Sequence, residues 1–364
     1  MPAQPVYERG LTIGSVPSRV AGGSGRMTRM SPSSRSTSQQ VQFGSFGGVD
    51  VLEVVDIPRP SPGPGEVLVE VFAAGINHIE AYIRQGRFPD EVPTAFPNGQ
   101  GSDFAGCIAA VGEGVTRFKK GQDVLGHTVM AAHATHVVVP AGNVVAKPAQ
   151  LPWEVAGGLF LAGLVAHDVL HAITVGEGDT LVVTAAAGGV GSIEAQLAMR
   201  RGARVIGTCG ERNFDYLRQI GVTPVVYGDG LADRIRAAAP NGVQGFVDNF
   251  GGGEHVAEEL GVAGKRFSSS DDRRAIELEA VLPPVEEDDV HRSRTLATVA
   301  DLAAKREVDV LVSGFYPLSE VQHAFDDLER RHARGKIVLG MRPVHYPGDR
   351  RSTAKARDVA DGRA

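Results

Sequence analysis

Ala186, Gly188 and Gly191 stand at nearly the spacing of a Gly-x-Gly-x-x-Gly turn, closing a short apolar run that begins at Thr180. Residues of these types at this spacing can hold an anion. A missing side chain at 188 lets backbone approach a pyrophosphate, and one missing at 191 lets the next helix lie close to the strand. The N–H groups that open the helix then face the negative charge. Gly189 and Val190 lie in the same loop and would present backbone to the same ligand. A tight turn in another α/β domain would share these glycines, so context has to separate the two readings. Leu181 to Val183 form a strand too short for a helix, Ile193, Ala195, Leu197 and Ala198 follow helical periodicity, and a second strand starts at Arg204. That is a βαβ unit of the length a dinucleotide site requires.

The end of the second strand decides which dinucleotide. An acidic residue there would bind a ribose 2'-hydroxyl and repel a 2'-phosphate. Thr208, Cys209 and Gly210 are neutral, and Arg212 can form a charge-assisted pair with phosphate. Glu211 is the discordant residue, because a small backbone rotation would swing it onto the ribose. The balance favours NADPH over NADH. Asp248-Asn249-Phe250-Gly251-Gly252 ends the fourth strand, on the ligand-binding edge of a parallel sheet.

The elements that would position these residues divide the chain in two. Val67 to Phe72 alternates after the turn-rich run Pro58 to Gly65, and short strands follow at Gly106 to Val111, Asp123 to Leu125 and His136 to Pro140. Turns of Gly, Asn and Pro between them indicate a β-barrel-like module. Helices at 154–161 and 164–172 lead into alternating strands (180–184, 203–208, 224–227, 245–249) and helices (190–201, 211–220, 229–239, 254–260). Such alternation implies a parallel sheet covered on both faces. The segment Ser268 to Arg294 is charged, is interrupted by Pro283 and Pro284, and gives no assignable order. Beyond it we read a helix at 295–306, a strand Val308 to Val312, a helix Leu318 to Arg331 and a last strand Ile337 to Met341, which should return to the β module.

At 364 residues, 42% hydrophobic and 22% charged, the chain is globular and long enough for two domains. A net charge of -6 with no dense Lys/Arg stripe argues against nucleic acid and leaves small molecules as partners. Two cysteines, Cys107 and Cys209, build neither a disulfide framework nor a four-cysteine zinc site and suit a reducing cytoplasm. The longest apolar run, Val155 to Leu170, is broken by Gly157, Gly158, Gly163 and His167, short of the roughly 18 residues of a membrane span. Residues 1–40 are Ser/Gly/Pro/Arg-rich with Glu8 as their single acid, and read as a disordered leader. An organelle-targeting segment, or a true start at Met27 or Met30, would explain the same composition. Residues 344–364 read as a disordered tail.

The β module, the loop Ala186-Ala187-Gly188-Gly189-Val190-Gly191 followed by Gln196, and the closing Gly335-Lys336-Ile337-Val338-Leu339 together resemble the medium-chain dehydrogenase/reductase superfamily. Gly75-Ile76-Asn77 followed by Tyr82, Arg84 and Gly86 is similar to the first active-site segment of its zinc-independent quinone oxidoreductase branch. Departures are Val182 for Leu, Met199 for a basic residue and Glu80 for Asp. The resemblance covers about residues 42–343. It implies a GroES-like β-barrel catalytic domain (41–164, completed by 312–343) and a Rossmann doubly wound parallel-sheet domain (165–311). It also implies NADPH as hydride donor and a quinone or conjugated carbonyl as acceptor. Tyr227 is then placed near the adenosine phosphate and Phe250 and Gly251 near the nicotinamide, in a homodimer or homotetramer.

Zinc does not suit this residue set. Where alcohol-dehydrogenase relatives place a thiolate and an imidazole, this chain has Asn77 and Ser102, neither of which is a competent zinc ligand, and Asp103 cannot hold the ion alone. His133 and His136 straddle the start of a strand, where side chains three apart point to opposite faces, and His127, His167 and His171 read as packing or surface residues. Charge building on the acceptor oxygen would instead meet Asn77, Tyr82 and Arg84. An enone or enoyl reductase would use the same groups. A zinc alcohol dehydrogenase and a non-catalytic NADPH-binding protein are the remaining readings.

Overall fold

Val67, Val69 and Val71 are fully buried, with Leu68 buried too and only Glu66, Glu70 and Phe72 partly exposed, and β3 (Glu66–Gly75) is the centre of the N-terminal sheet. The computed structural model describes residues 37–341 apart from 93, 284, 285 and 332. Before β3 come β1 (Thr37–Phe43) and β2 (Leu52–Pro58), paired antiparallel. The strand that opens at Thr37 takes the last four residues of the expected leader, because Ser38 and Val41 are buried there. Residues 1–36 and the tail 344–364 lie outside the described residues.

After β3 follow α1 (His78–Arg84), β4 (Asn98–Gly99), β5 (Asp103–Val111), β6 (Asp123–His127), β7 (His136–Pro140) and β8 (Val144–Ala146). The valines of β3 meet Phe104, Ile108, Val124, Val137, Val139 and Val144 in one apolar interior. Each such buried side chain stabilises by about 1.5–3 kcal/mol.

Helices α2 (Trp153–Gly157) and α3 (Phe160–Ala172) carry the chain to the second unit. There β9 (Thr180–Val183), α4 (Gly191–Arg200), β10 (Arg204–Cys209), α5 (Phe214–Gln219), β11 (Thr223–Val226), α6 (Leu231–Ala238), β12 (Gly245–Val247), α7 (Glu254–Glu259) and β13 (Phe267–Ser268) alternate. The five strands are parallel, in the order β11-β10-β9-β12-β13. Strand order reverses between β9 and β12, and a crevice at that reversal is where open α/β sheets bind ligands.

The unassigned segment is helical: α8 (Ser270–Val281) is capped by Ser269 and Asp272, and α9 (Glu286–Ala304) follows the prolines. The helix expected at 295–306 is thus longer and begins earlier, and the strand expected at 308–312 is absent. Asp309 donates its backbone N–H to Gln196 Oε1 at 2.7 Å and accepts from Gln196 Nε2 on its C=O at 2.8 Å, instead of pairing in a sheet. The strand there is β14 (Val312–Pro317), followed by α10 (Val321–Glu329) and β15 (Lys336–Gly340). As expected, β15 returns to the first unit, pairing Val338 with Gly75 and Leu339 with Ala74. On its way it brushes the glycine loop: Gly335, at φ +72°, donates its N–H to Ala187 O at 2.9 Å and bridges to Gly188.

Candidate active site

The turn after β9 puts Ala185 in the left-handed region at φ +49° and folds the loop back, with Gly188 N–H donating to Ala185 O at 2.9 Å. Helix α4 then opens at Gly191, and the N–H groups of Ser192, Ile193 and Glu194 are already bonded to Gly188 O and Val190 O, so it is the loop backbone at 189–191 that lies at the pocket. A cleft of about 1310 Å³ starts at this loop and runs past Arg212, Tyr227, Phe250 and Gly251. Tyr227 and Phe250 are 64% and 65% exposed there. Gly189, Val190 and Gly191 line an adjoining pocket of about 170 Å³, and Gly188 lines both cavities. Ala186 is the exception among the expected cofactor contacts. It is fully buried, gives its N–H to Thr208 O and packs toward Gly207, so it supports the loop from behind.

Asp248 explains how the loop after β12 is held. Its carboxylate accepts from Thr184 Oγ1 and from the N–H groups of Phe250, Gly251 and Gly253, at 2.7–3.1 Å. Asn249 next to it reaches Glu194 Oε2 at 2.5 Å. Burial pushes the Glu194 carboxyl up to about 7, against the opposing pull of the Asn249 hydrogen bond and Arg273. A carboxyl raised in the fold holds its proton more tightly than in the unfolded chain, so stability falls as pH climbs from the ordinary carboxylate range through about 7. Glu194→Gln should therefore raise stability by about 1–3 kcal/mol at pH 8 and change little at pH 4. Urea unfolding at the two pH values checks this; equal effects at both would contradict it.

The smaller pocket holds the polar end of the site. Asn77 and Tyr82 line it together with His78, Arg273, Arg331 and Lys336. Asn77 caps α1, with its N–H and its Nδ2 donating to the two oxygens of Glu80, at 3.0 and 3.2 Å. Its Oδ1 accepts from Lys336 Nζ at 2.5 Å, and the same ammonium donates to Ile76 O at 3.2 Å. Tyr82 Oη accepts from Arg331 at 2.7 Å. His78 is held neutral, its pKa lowered to about 3 by burial and then by Arg273, Arg331 and Lys336. Asp103, fully buried beside this group, is raised to about 6 by burial while Lys336 pulls it down, and Glu80 is raised by burial too.

Arg84 does not belong to the site. The helix turn points it away from the pocket, where it is fully buried, donates to Glu329 Oε1 at 2.5 Å and lies 5.0 Å from the Phe325 ring. Lys336 is the site residue that spacing alone missed. Its only local signal is a lysine heading an otherwise apolar strand. Arg273 and Arg331 come from the unassigned segment and from the end of α10, which no motif connects to the loop.

The donor set does not fit a catalytic zinc. Asn77 Oδ1 is held by an ammonium, Ser102 is a neutral hydroxyl, and His133 Nε2 donates to Gly75 O at 2.9 Å with its pKa lowered to about 4 by burial. His133 is buried inside while His136 sits on β7, partly exposed, so the pair cannot chelate. Among the described residues the one grouping with metal-ligand spacing is His167, Asp168 and His291, on α3 and α9, and none of the three lines either cavity. Among the described residues no helix is long and apolar enough to cross a membrane.

Comparison with known proteins agrees with this geometry. Residues 63–149 match the family described as "Alcohol dehydrogenase GroES-like domain" and residues 220–339 that described as "Zinc-binding dehydrogenase". A chloroplastic quinone-oxidoreductase homolog of Spinacia oleracea is 33% identical over 196 residues, 51% of this chain and 60% of that protein. The stretches matched in such curated relatives thus span little more than half of their length. Over more of the chain, the structure of Escherichia coli quinone oxidoreductase complexed with NADPH superposes with a TM-score of 0.70 at 25% identity, covering 83% of this chain and 99% of that one. A mycobacterial protein complexed with NADPH gives 0.69 at 29% identity, covering 83% and 99%. The chain belongs to the medium-chain dehydrogenase/reductase superfamily, in its quinone-oxidoreductase-like branch.

Proposed function

We propose that this protein reduces quinones or conjugated carbonyls with NADPH and without a catalytic metal. The continuity of the site carries the reading: Ala185, Gly188, Phe250, Arg331 and Ala333 line both the nucleotide cleft and the pocket that holds Asn77 and Tyr82. The loop and Gly191 would take the pyrophosphate, Arg212 and Tyr227 the adenosine phosphate, and Phe250 and Gly251 the nicotinamide half. When bound, NADPH supplies the hydride. The chain's own part is to meet the negative charge that develops on the acceptor oxygen. Asn77 Nδ2 has one N–H on Glu80, and the other, which also serves the Asp103 carboxyl, is the one an acceptor oxygen would meet. Because Arg331 donates to the Tyr82 oxygen, the phenolic hydrogen is free to point at the acceptor. In this reading residues 41–164 with 312–343 do the chemistry and residues 165–311 bind the nucleotide. Its supporting context is a reducing cytoplasm, which suits two free cysteines, and the homo-oligomeric habit the family resemblance implies.

NADPH oxidation against a simple quinone, a conjugated enone and, with NADP+, a primary alcohol tests the reading, with metal content measured on the same sample. Turnover of quinone or enone by metal-free protein is expected. Zinc-dependent alcohol oxidation, or NADPH binding with no turnover, would overturn it. Arg212 at the cleft wall should set the cofactor choice. Removing one charge-assisted contact costs about 1.5–3 kcal/mol, so Arg212→Ala should weaken NADPH about 10- to 100-fold and NADH by less than about 3-fold. Paired fluorescence titrations check this, and equal losses would show that Arg212 does not read the phosphate.

A further inference from the structure

We propose that Lys336 is the cation of this metal-free site, a positioning residue whose ammonium holds the Asn77 amide oxygen so that the amide N–H is what the acceptor oxygen meets. This rests on the reductase reading and deepens it. Lysine is almost never buried unless paired. Lys336 is 5% exposed, and its Nζ donates to Asn77 Oδ1 at 2.5 Å and to Ile76 O at 3.2 Å. Its backbone is fixed as well, with its N–H on Leu311 O at 2.8 Å and Gly335 bridged to the glycine loop. The stem is confined between two glycines: a Cβ on Gly189 would lie 2.8 Å from Lys336 Cδ, and one on Gly158 3.4 Å from its Cε.

Two consequences follow for Asn77. An unrestrained amide can turn either its oxygen or its nitrogen to a ligand. With the ammonium on Oδ1 and Glu80 on one Nδ2 hydrogen, one orientation remains, and its second N–H, shared with the Asp103 carboxyl, is what the amide can offer to the pocket. A cation on the oxygen also polarises the amide and strengthens that N–H as a donor. The surroundings are built for a positive charge at this point. Glu80 and Asp103 are both fully buried around it, and Asn77 and Ser102 occupy the positions where alcohol-dehydrogenase relatives hold zinc. Lys336 forms no bond and passes no proton in this role.

The test is a cycle of Lys336→Met, Asn77→Ala and the double variant, each assayed for acceptor kcat and KM, NADPH affinity by fluorescence titration and urea midpoint. Losing one preorganised donor costs on the order of 100-fold in kcat, so each single variant should fall by about that, and the double should be no worse than about threefold below either. Acceptor KM and NADPH affinity should hold within about threefold. Lys336→Met leaves two buried carboxylates without their cation, so Lys336→Met/Asp103→Asn, compared with Asp103→Asn alone, repeats the measurement at balanced charge. There the urea midpoint should recover while kcat stays low. Losses that multiply in the double variant, or a charge-balanced variant that recovers kcat together with stability, would overturn the proposal while leaving the reductase reading intact. No turnover of quinone or enone by the unaltered protein would remove both.

Discussion

Gly191→Ala should lower NADPH affinity at least about 100-fold, since about 3 kcal/mol goes when two backbone donors lose their alignment with the phosphates. A Cβ at Gly191 would sit 2.6 Å from the Ala185 carbonyl oxygen and 3.1 Å from Ala186 Cα. Backbone, not a flexible side chain, is what it meets. Ala185 already lies at φ +49°, in a conformation few side-chain-bearing residues adopt, so the turn has little room to give. The loop end must move instead, taking the backbone N–H groups of Val190 and Gly191 with it. The fold should survive, because one methyl in a tight turn costs about 1–3 kcal/mol. Fluorescence titration with NADPH and a thermal melt on the same protein separate the two effects. Unchanged affinity would mean that the nucleotide does not use this loop.

Glu329→Ala should destabilise the protein by about 3 kcal/mol, the lower end of what breaking a buried ion pair costs, because Glu329 keeps some water access. Arg84 is fully buried against a carboxylate that is 32% exposed, and its Nη1 has no hydrogen-bond partner. Glu329 also accepts from Gln85 at 3.1 Å, so one side chain joins α10 to the end of α1. Removing it strands a guanidinium in the interior. Replacing both partners, Arg84→Met with Glu329→Met, should recover most of the loss, as apolar pairs of similar volume generally do. Urea unfolding gives the stabilities, and kcat of the double variant should stay within about threefold of the parent, since neither residue touches the pocket. A large fall in kcat with stability restored would return Arg84 to the reaction.

Much of this protein was legible in its sequence. The strand, glycine turn and helix around Gly188 are a local pattern whose spacing dictates the geometry, and the structure forms them within a residue or two of the expected bounds. Alternation in Val67 to Phe72 likewise foretold which side chains fill the β module. Asn77 and Tyr82 follow from a motif within one short segment, and both reach the pocket. Arg84, from the same segment, does not. Its partner is 245 residues away, and only the packing of α10 on α1 shows that the guanidinium has an internal use. Lys336 is the converse: an ordinary residue by its neighbours, it meets Asn77 across 259 residues because β15 must pass the glycine loop before pairing with β3. Periodicity and spacing report what a few bonded neighbours require of one another. Which buried charge finds which partner was decided only when the chain closed on itself, where the cost of an unpaired charge leaves few arrangements standing.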